Sequence, residues 1–247
     1  MQFKDLAEQL AGKSPVGLEG TVIQRQNKKD AEKVDANKKY DVDAAVKLLK
    51  AMGTTKFDQT VEIAVKLNVD PKKSEQALRG SLALPKGIGK SRKVIVFADG
   101  DEARLAQELG ADEVGMEELA KKIEGGWLDF DVALALPRTM KVIAKLGKVL
   151  GPQGKMPSPK SGTVTDDIKT AVREFKAGKI EFRTDAGGNV QAAVGKVSFS
   201  EGDLKANIEA FIDHIRSLKP ATVKGHYMEG AVVSPSMGPG IALEVVS

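Results

Sequence analysis

The chain has 247 residues, 41% hydrophobic and only 4% aromatic, which suits one large or two small domains with aliphatic cores. It has no cysteine, which excludes disulfides, thiolate metal sites and cysteine nucleophiles and fits a reducing cytosol. The formal net charge of +4, with a pI near 9.0, is mildly basic and suits local patches facing RNA or DNA rather than a cationic tail.

The start, MQFKDLAEQLAG, is charged at positions 4, 5 and 8 and lacks the apolar run of a secretory signal. No stretch approaches the roughly 20 apolar residues of a membrane span. A cytoplasmic protein without a membrane partner is expected. Residues 1–35 mix glycine, proline and charge without a sustained period, which reads as a peripheral helix with extended or mobile segments. Asp41 then starts a helix, with Val42, Ala45, Val46 and Leu49 on one face and Gly53 ending it. In FDQTVEIAVKL, Phe57, Val61, Ile63, Val65 and Leu67 share one parity, and Asp58, Thr60, Glu62 and Lys66 the other. That predicts a strand with one buried face.

ALPKGIGKSRK, residues 83–93, holds Pro85, Gly87 and Gly89 and has the composition of a linker or hinge. The pattern then changes. VIVFADG and DFDVALALP are continuously apolar, as in strands buried on both faces. DEARLAQELG and MEELAKKIEGG read as short helices between them. PRTMKVIAKLGKVLG predicts a helix opened by Pro137, and TDDIKTAVREFKAG another, capped at Thr165 and stopped by Gly178. Strands alternating with helices predict a parallel α/β layer.

From Lys179 the half-buried pattern returns. KIEFRTD and VQAAVGKV are alternating strands around an AGGN turn. Ser200 opens a helix with Asp203 in a capping box, and Leu204, Ile208, Phe211, Ile212 and Ile215 form its buried stripe before Pro220. Two last apolar runs bracket the loop Ser234-Pro-Ser-Met-Gly-Pro-Gly240. The expected fold class is therefore α/β in two domains. Residues 1–87 and 179–247 together make an antiparallel open-faced α+β sandwich, and 88–178 is an inserted α/β domain. Glycines Gly87, Gly89 and Gly178 at the two crossings would act as a paired hinge.

Chemical motifs are sparse. Gly89-Lys90-Ser91 mimics the end of a phosphate loop, but Leu84 stands where that motif needs glycine, and the strand follows instead of preceding it. No dinucleotide fingerprint follows residues 94–98. The only histidines, His214 and His226, form no cluster, and His214 reads as a boundary residue of its helix. Glu117-Glu118 and Asp166-Asp167 suit helix N-terminal turns. No metal site, cofactor or catalytic constellation is expected.

The charge pattern says more. Between Asp131 and Asp166 there is no acidic residue but six basic ones, Arg138, Lys141, Lys145, Lys148, Lys155 and Lys160. Lys141, Lys145 and Lys148 fall on one helix face. A solvated face explains that as well as a surface for nucleic-acid phosphates does. The basic loop GPQGKMPSPKSG that follows is too long for a tight turn, a kind of loop that is more often functional.

Several strings carry a resemblance. KFDQTVEIAVKL, RGSLALPKGIGK, GWLDFDVALALP, KLGKVLGPQGKMPSPKSGTV, KAGKIEFRTD and SMGP resemble the ribosomal protein L-one family, in order, from about Asn37 onward. This family is the RNA-binding protein of the mobile stalk on the large ribosomal subunit. The resemblance implies a discontinuous RNA-binding domain with a Rossmann-like insertion. It implies stalk rRNA of the large subunit near the tRNA exit site as partner, assistance in the release of deacylated tRNA, repression of the protein's own operon mRNA, a ribosome-bound cytoplasmic location, and no stable homo-oligomer. It places the RNA contacts on Lys56, Phe57, Thr60 and Glu62 and on Ser236, Met237 and Gly238. The charge pattern, apart from the resemblance, offers Lys141, Lys145, Lys148 and Lys155 as candidate contacts to tRNA or phosphate.

The residue chemistry fits. Hydroxyls and amides meet ribose 2′-OH groups, and phenylalanine or methionine packs on a sugar or base face. Glu62 repels phosphate and fits only as an acceptor from hydroxyls or base amines. Pro235 and Pro239 stiffen the last loop, and Gly238 would let its backbone approach a ribose. Ser236 stands where the family more often has threonine, which keeps the hydroxyl. The first 35 residues depart from the family's short basic start and carry no assigned contact. The competing expectation is a small-molecule or nucleotide-binding α/β enzyme.

Overall fold

The computed structural model describes residues 30–244, apart from 31–32, 36–37, 53–54, 74 and 224. Most of the expected N-terminal peripheral helix, and the stop at Gly53, lie outside the described residues.

The alternation after Gln59 forms β1 (Thr60–Leu67). It lies between β7 (Asn189–Lys196) and β8 (Met228–Pro235), antiparallel to both, and β9 (Ile241–Leu243) extends the sheet beyond β8. Val61, Ile63, Val65 and Leu67 point to one face with Val190, Val194, Ala231 and Val233. Two helices cover that face. α1 (Val42–Ala51) brings Ala45, Val46 and Leu49; α7 (Glu201–Ser217) brings Leu204, Ile208, Phe211, Ile212 and Ile215. Each large aliphatic side chain sealed this way contributes roughly 1.5–3 kcal/mol. Asp203 N–H donates to the Ser200 hydroxyl oxygen (3.1 Å), and that hydroxyl donates to the Asp203 carboxylate (2.6 Å), which sets the start of α7. The opposite face of the sheet shows Glu62, Lys66, Gln191 and Val232 exposed, as in the expected open-faced arrangement.

A second sheet pairs β2 (Arg79–Ala83) with β6 (Lys179–Arg183). The residue pattern gives no sign of β2, because no residue of it is fully buried. β6 and β7 do not form the expected hairpin. They belong to different sheets and share only the bridge Thr184–Val190. The Asp185 carboxylate accepts from Gly187 N–H and Asn189 N–H, both at 2.8 Å, and this local turn redirects the chain.

The middle stretch holds three parallel strands in the order β4-β3-β5, with β3 (Val94–Phe97) between β4 (Glu113–Gly115) and β5 (Val132–Ala135). Val94 and Val96 pack toward α2 (Gly100–Glu108) and α6 (Ile168–Lys176); Ile95 and Phe97 pack toward α3 (Glu117–Glu124) and residues 140–150. Helices lie on both faces, so every residue of β3 and β5 is buried.

Two helix expectations are corrected. Asp167, not Thr165, caps α6: its carboxylate accepts from Thr170 N–H at 3.2 Å, while the Thr165 hydroxyl accepts from Asp167 N–H at 3.1 Å. The stretch from Pro137 is not one helix. It alternates 3₁₀ turns with α4 (Met140–Ile143) and α5 (Gly147–Leu150). Gly147 weakens a regular helix there, and the mixed path still turns Ile143, Leu146 and Leu150 inward.

The two chain crossings touch. Gly87 (φ +62°) and Gly178 (φ +105°) both lie in the left-handed region that favours glycine. Fully buried Asn207 on α7 ties down the first crossing: its amide donates to Gly87 O (2.9 Å) and Val194 O (2.8 Å), and its oxygen accepts from Lys86 N–H (3.1 Å).

Candidate nucleic-acid interface

The segment before β1 is held by its own hydrogen bonds. The Thr55 hydroxyl donates to Phe57 O at 2.8 Å. The Asp58 carboxylate accepts from Ser198 N–H (3.1 Å) and the Ser198 hydroxyl (2.7 Å). The chain here bends and is not yet a strand, so the parity of β1 does not reach Phe57. Instead of sharing the buried face, Phe57 is 54% exposed, beside exposed Lys56.

The C-terminal loop meets the same end of the sheet. β8 runs through Pro235, so the loop is shorter than its sequence suggests and begins at Ser236. Ser236 N–H and the Ser236 hydroxyl both donate to Thr60 O, at 3.0 and 3.2 Å. Met237 N–H donates to the side-chain oxygen of Gln59 at 2.9 Å. Gly238 N–H donates to Pro235 O at 3.1 Å. Two segments 176 positions apart in sequence thus form one edge. Glu62, further along β1, lies opposite Ser234 on the open face.

Two details change the chemistry expected of this loop. The Ser236 hydroxyl already donates its proton to Thr60 O, so toward a ligand it is an acceptor. Glycine at 238 answers the loop itself: a Cβ there would stand 2.5 Å from Pro235 Cγ, whatever lay outside. Met237 remains 39% exposed.

The residue pattern missed two contributors. Lys196 of β7 donates to the Thr60 hydroxyl at 2.9 Å and adds a cation to the edge. Gln59 is buried, at 3% exposure. Its signal was present: a polar residue on the parity of Val61 and Ile63 needs a partner.

The basic stretch of 138–160 is narrower than its sequence. Lys141, Lys145, Lys148 and Lys160 are exposed. Lys155 turns inward, donating to Leu128 O (3.0 Å) and Phe130 O (2.6 Å) and lying 4.8 Å from the Phe130 ring centre. Arg138 pairs with Asp99 and Glu102. His214 lies edge-on to Phe182, ring centres 5.6 Å apart, and its burial pushes the imidazole below its ordinary value. No group of three or more metal-ligating side chains exists among the described residues, and no helix among them is long and apolar enough to cross a membrane.

The edge combines exposed apolar side chains, acceptor oxygens and cations, which suits ribose and base contacts more than catalysis. The family model described as Ribosomal protein L1p/L10e family matches residues 48–239. The chain is 56% identical over 213 residues to Large ribosomal subunit protein uL1 of Fervidobacterium nodosum, covering 86% of this chain and 91% of that protein. It is 52% identical over 212 residues to the protein of that name from Thermosipho africanus, covering 85% and 91%. With that from Protochlamydia amoebophila it shares 50% identity over 215 residues, covering 87% and 91%. The chain belongs to the ribosomal protein L1p/L10e family, whose members are structural proteins of translation and not enzymes.

Proposed function

We propose that this protein is a structural constituent of the large ribosomal subunit and holds its stalk rRNA with one edge of the outer sheet. Lys56, Phe57, Thr60, Glu62, Ser236, Met237 and Gly238 make that edge. The observation that carries the proposal is the meeting of Ser236 with Thr60, 176 positions apart in sequence, beside the exposed rings and chains of Phe57 and Met237. Such a surface offers stacking and 2′-OH contacts with few phosphate charges to neutralise.

The proposed domains are 1–87 with 179–247, and the inserted 88–178. Their separate hydrophobic clusters support this division. Gly87, Gly89 and Gly178 form the proposed hinge between them. Exposed Lys141, Lys145 and Lys148 support a second, charge-based contact to exit-site tRNA. Repression of the protein's own operon mRNA belongs to the same proposal and rests on the family resemblance, one edge serving either RNA. The working location is the ribosome in the cytoplasm, with the protein as a single copy.

The test is sedimentation of the tagged protein on a density gradient after light nuclease treatment. Co-sedimentation with large subunits, and retention of a protected rRNA fragment after heavier digestion, are expected. A free protein at the top of the gradient in growing cells would overturn the proposal.

A further inference from the structure

Taking the proposed RNA edge as given, the loop 236–238 needs a fixed geometry before RNA arrives, since ordering it on binding would weaken affinity. Three hydrogen bonds hold it to β1 and its approach. Ser236 N–H and the Ser236 hydroxyl both use Thr60 O, a backbone atom that no substitution removes. The third uses a side chain: Met237 N–H donates to Gln59 Oε1 at 2.9 Å. Gln59 also accepts from Val197 N–H through its own carbonyl, at 3.0 Å, so it joins the chain after β7 to the loop after β8. A glutamine amide buried at 3% exposure is unfavourable without such partners. Gln59 is thus buried while the residue whose amide it holds, Met237, stays 39% exposed.

We propose that Gln59 is a positioning residue for RNA binding: its buried oxygen seats the Met237 amide, so that the methionine is presented to RNA already ordered. Gln59 itself, being buried, touches no RNA. Its effect passes through Met237, and the two residues should therefore be coupled in binding energy.

The experiment is a double-mutant cycle with Gln59→Met, close in shape but without the acceptor oxygen, and Met237→Ala. Each full-length variant is titrated with a large-subunit stalk rRNA fragment, below its own melting temperature. Gln59→Met alone should weaken binding about three- to tenfold, the effect of ordering one flexible segment on binding. On the Met237→Ala background it should add less than about twofold. Amide hydrogen exchange at Met237 should accelerate in Gln59→Met, a readout independent of RNA. Equal losses on both backgrounds, no loss at all, or unchanged exchange at Met237 overturns the positioning role. If Met237→Ala alone binds like the unaltered protein, the failure lies instead with the RNA edge. If Gln59→Met does not fold, Gln59→Leu enters the same cycle with the same criteria.

Discussion

Gly178 packs against Gly87: a Cβ added at Gly178 would lie 3.0 Å from the Gly87 α-carbon and 2.9 Å from Ile88 N. A Cβ at Gly87 would lie 2.6 Å from Ala177 O. The two crossings between the outer sheet and the inner strands are thus one close backbone contact, and both glycines are required by φ and by space. Gly178→Ala should destabilise by roughly 1–3 kcal/mol. Gly126→Ala is the control, because Gly126 has φ +94° but nothing within 4 Å. In thermal melts Gly178→Ala should lose clearly more than Gly126→Ala; equal losses would mean that the contact adds nothing to backbone strain.

Lys155 and Lys148 should separate fold from surface. Lys155 donates to two backbone carbonyls, whereas Lys148 is exposed. Lys155→Ala should lower stability by about 1–3 kcal/mol, by leaving the Leu128 and Phe130 carbonyls without their charged donor. Lys148→Ala should stay within about 0.5 kcal/mol. Charge reversal at Lys141, Lys145 and Lys148 together should spare rRNA anchoring and weaken tRNA contact. Collapse of rRNA affinity in that variant would show that the two surfaces are assigned the wrong way round.

His214 predicts a pH effect. Burial lowers its pKa in the folded chain from the ordinary 6.5. Below about that value the unfolded chain binds the proton more readily, so stability rises with pH through this window and falls on acidification. Urea melts of the native protein and of His214→Gln at pH 8 and pH 5 should diverge, the native protein losing more stability on going to pH 5. Parallel losses would show that His214 does not contribute.

Ser236→Ala removes an exposed hydroxyl that donates to Thr60 O while the backbone bond from Ser236 N–H remains. It should cost about 1 kcal/mol of RNA binding through the lost acceptor, with little change in melting. Gly238→Ala should cost more, and for a different reason, since the added methyl meets the Pro235 ring. Full RNA affinity in a folded Gly238→Ala would contradict the tight turn.

Much of this was legible in the residues. β1, α7 and the buried strands follow from period and burial, because each element has one dominant face or two sealed ones. β2 was not, since its half-exposed residues carry no alternation. Phe57 misled because a parity argument assumes a strand that begins only at Thr60. The helix from Pro137 misled because its apolar spacing survives a path of 3₁₀ and α turns. At the candidate site, the strings around residues 56–62 and 236–238 stood out, but not their meeting. That depends on β1 pairing with β8, and on Gln59, a partner that no local pattern connects to Met237.

The proposed RNA edge rests on its exposed pair, Phe57 and Met237, and the most direct measurement removes both. Filter binding of a large-subunit stalk rRNA fragment to Phe57→Ala/Met237→Ala, with a melting curve of the free protein, decides it. Both side chains are exposed, so melting should hardly move. Binding should weaken by about 2–4 kcal/mol, the scale of two lost apolar contacts to base or sugar faces. Undiminished affinity in the folded double variant would contradict the proposed edge.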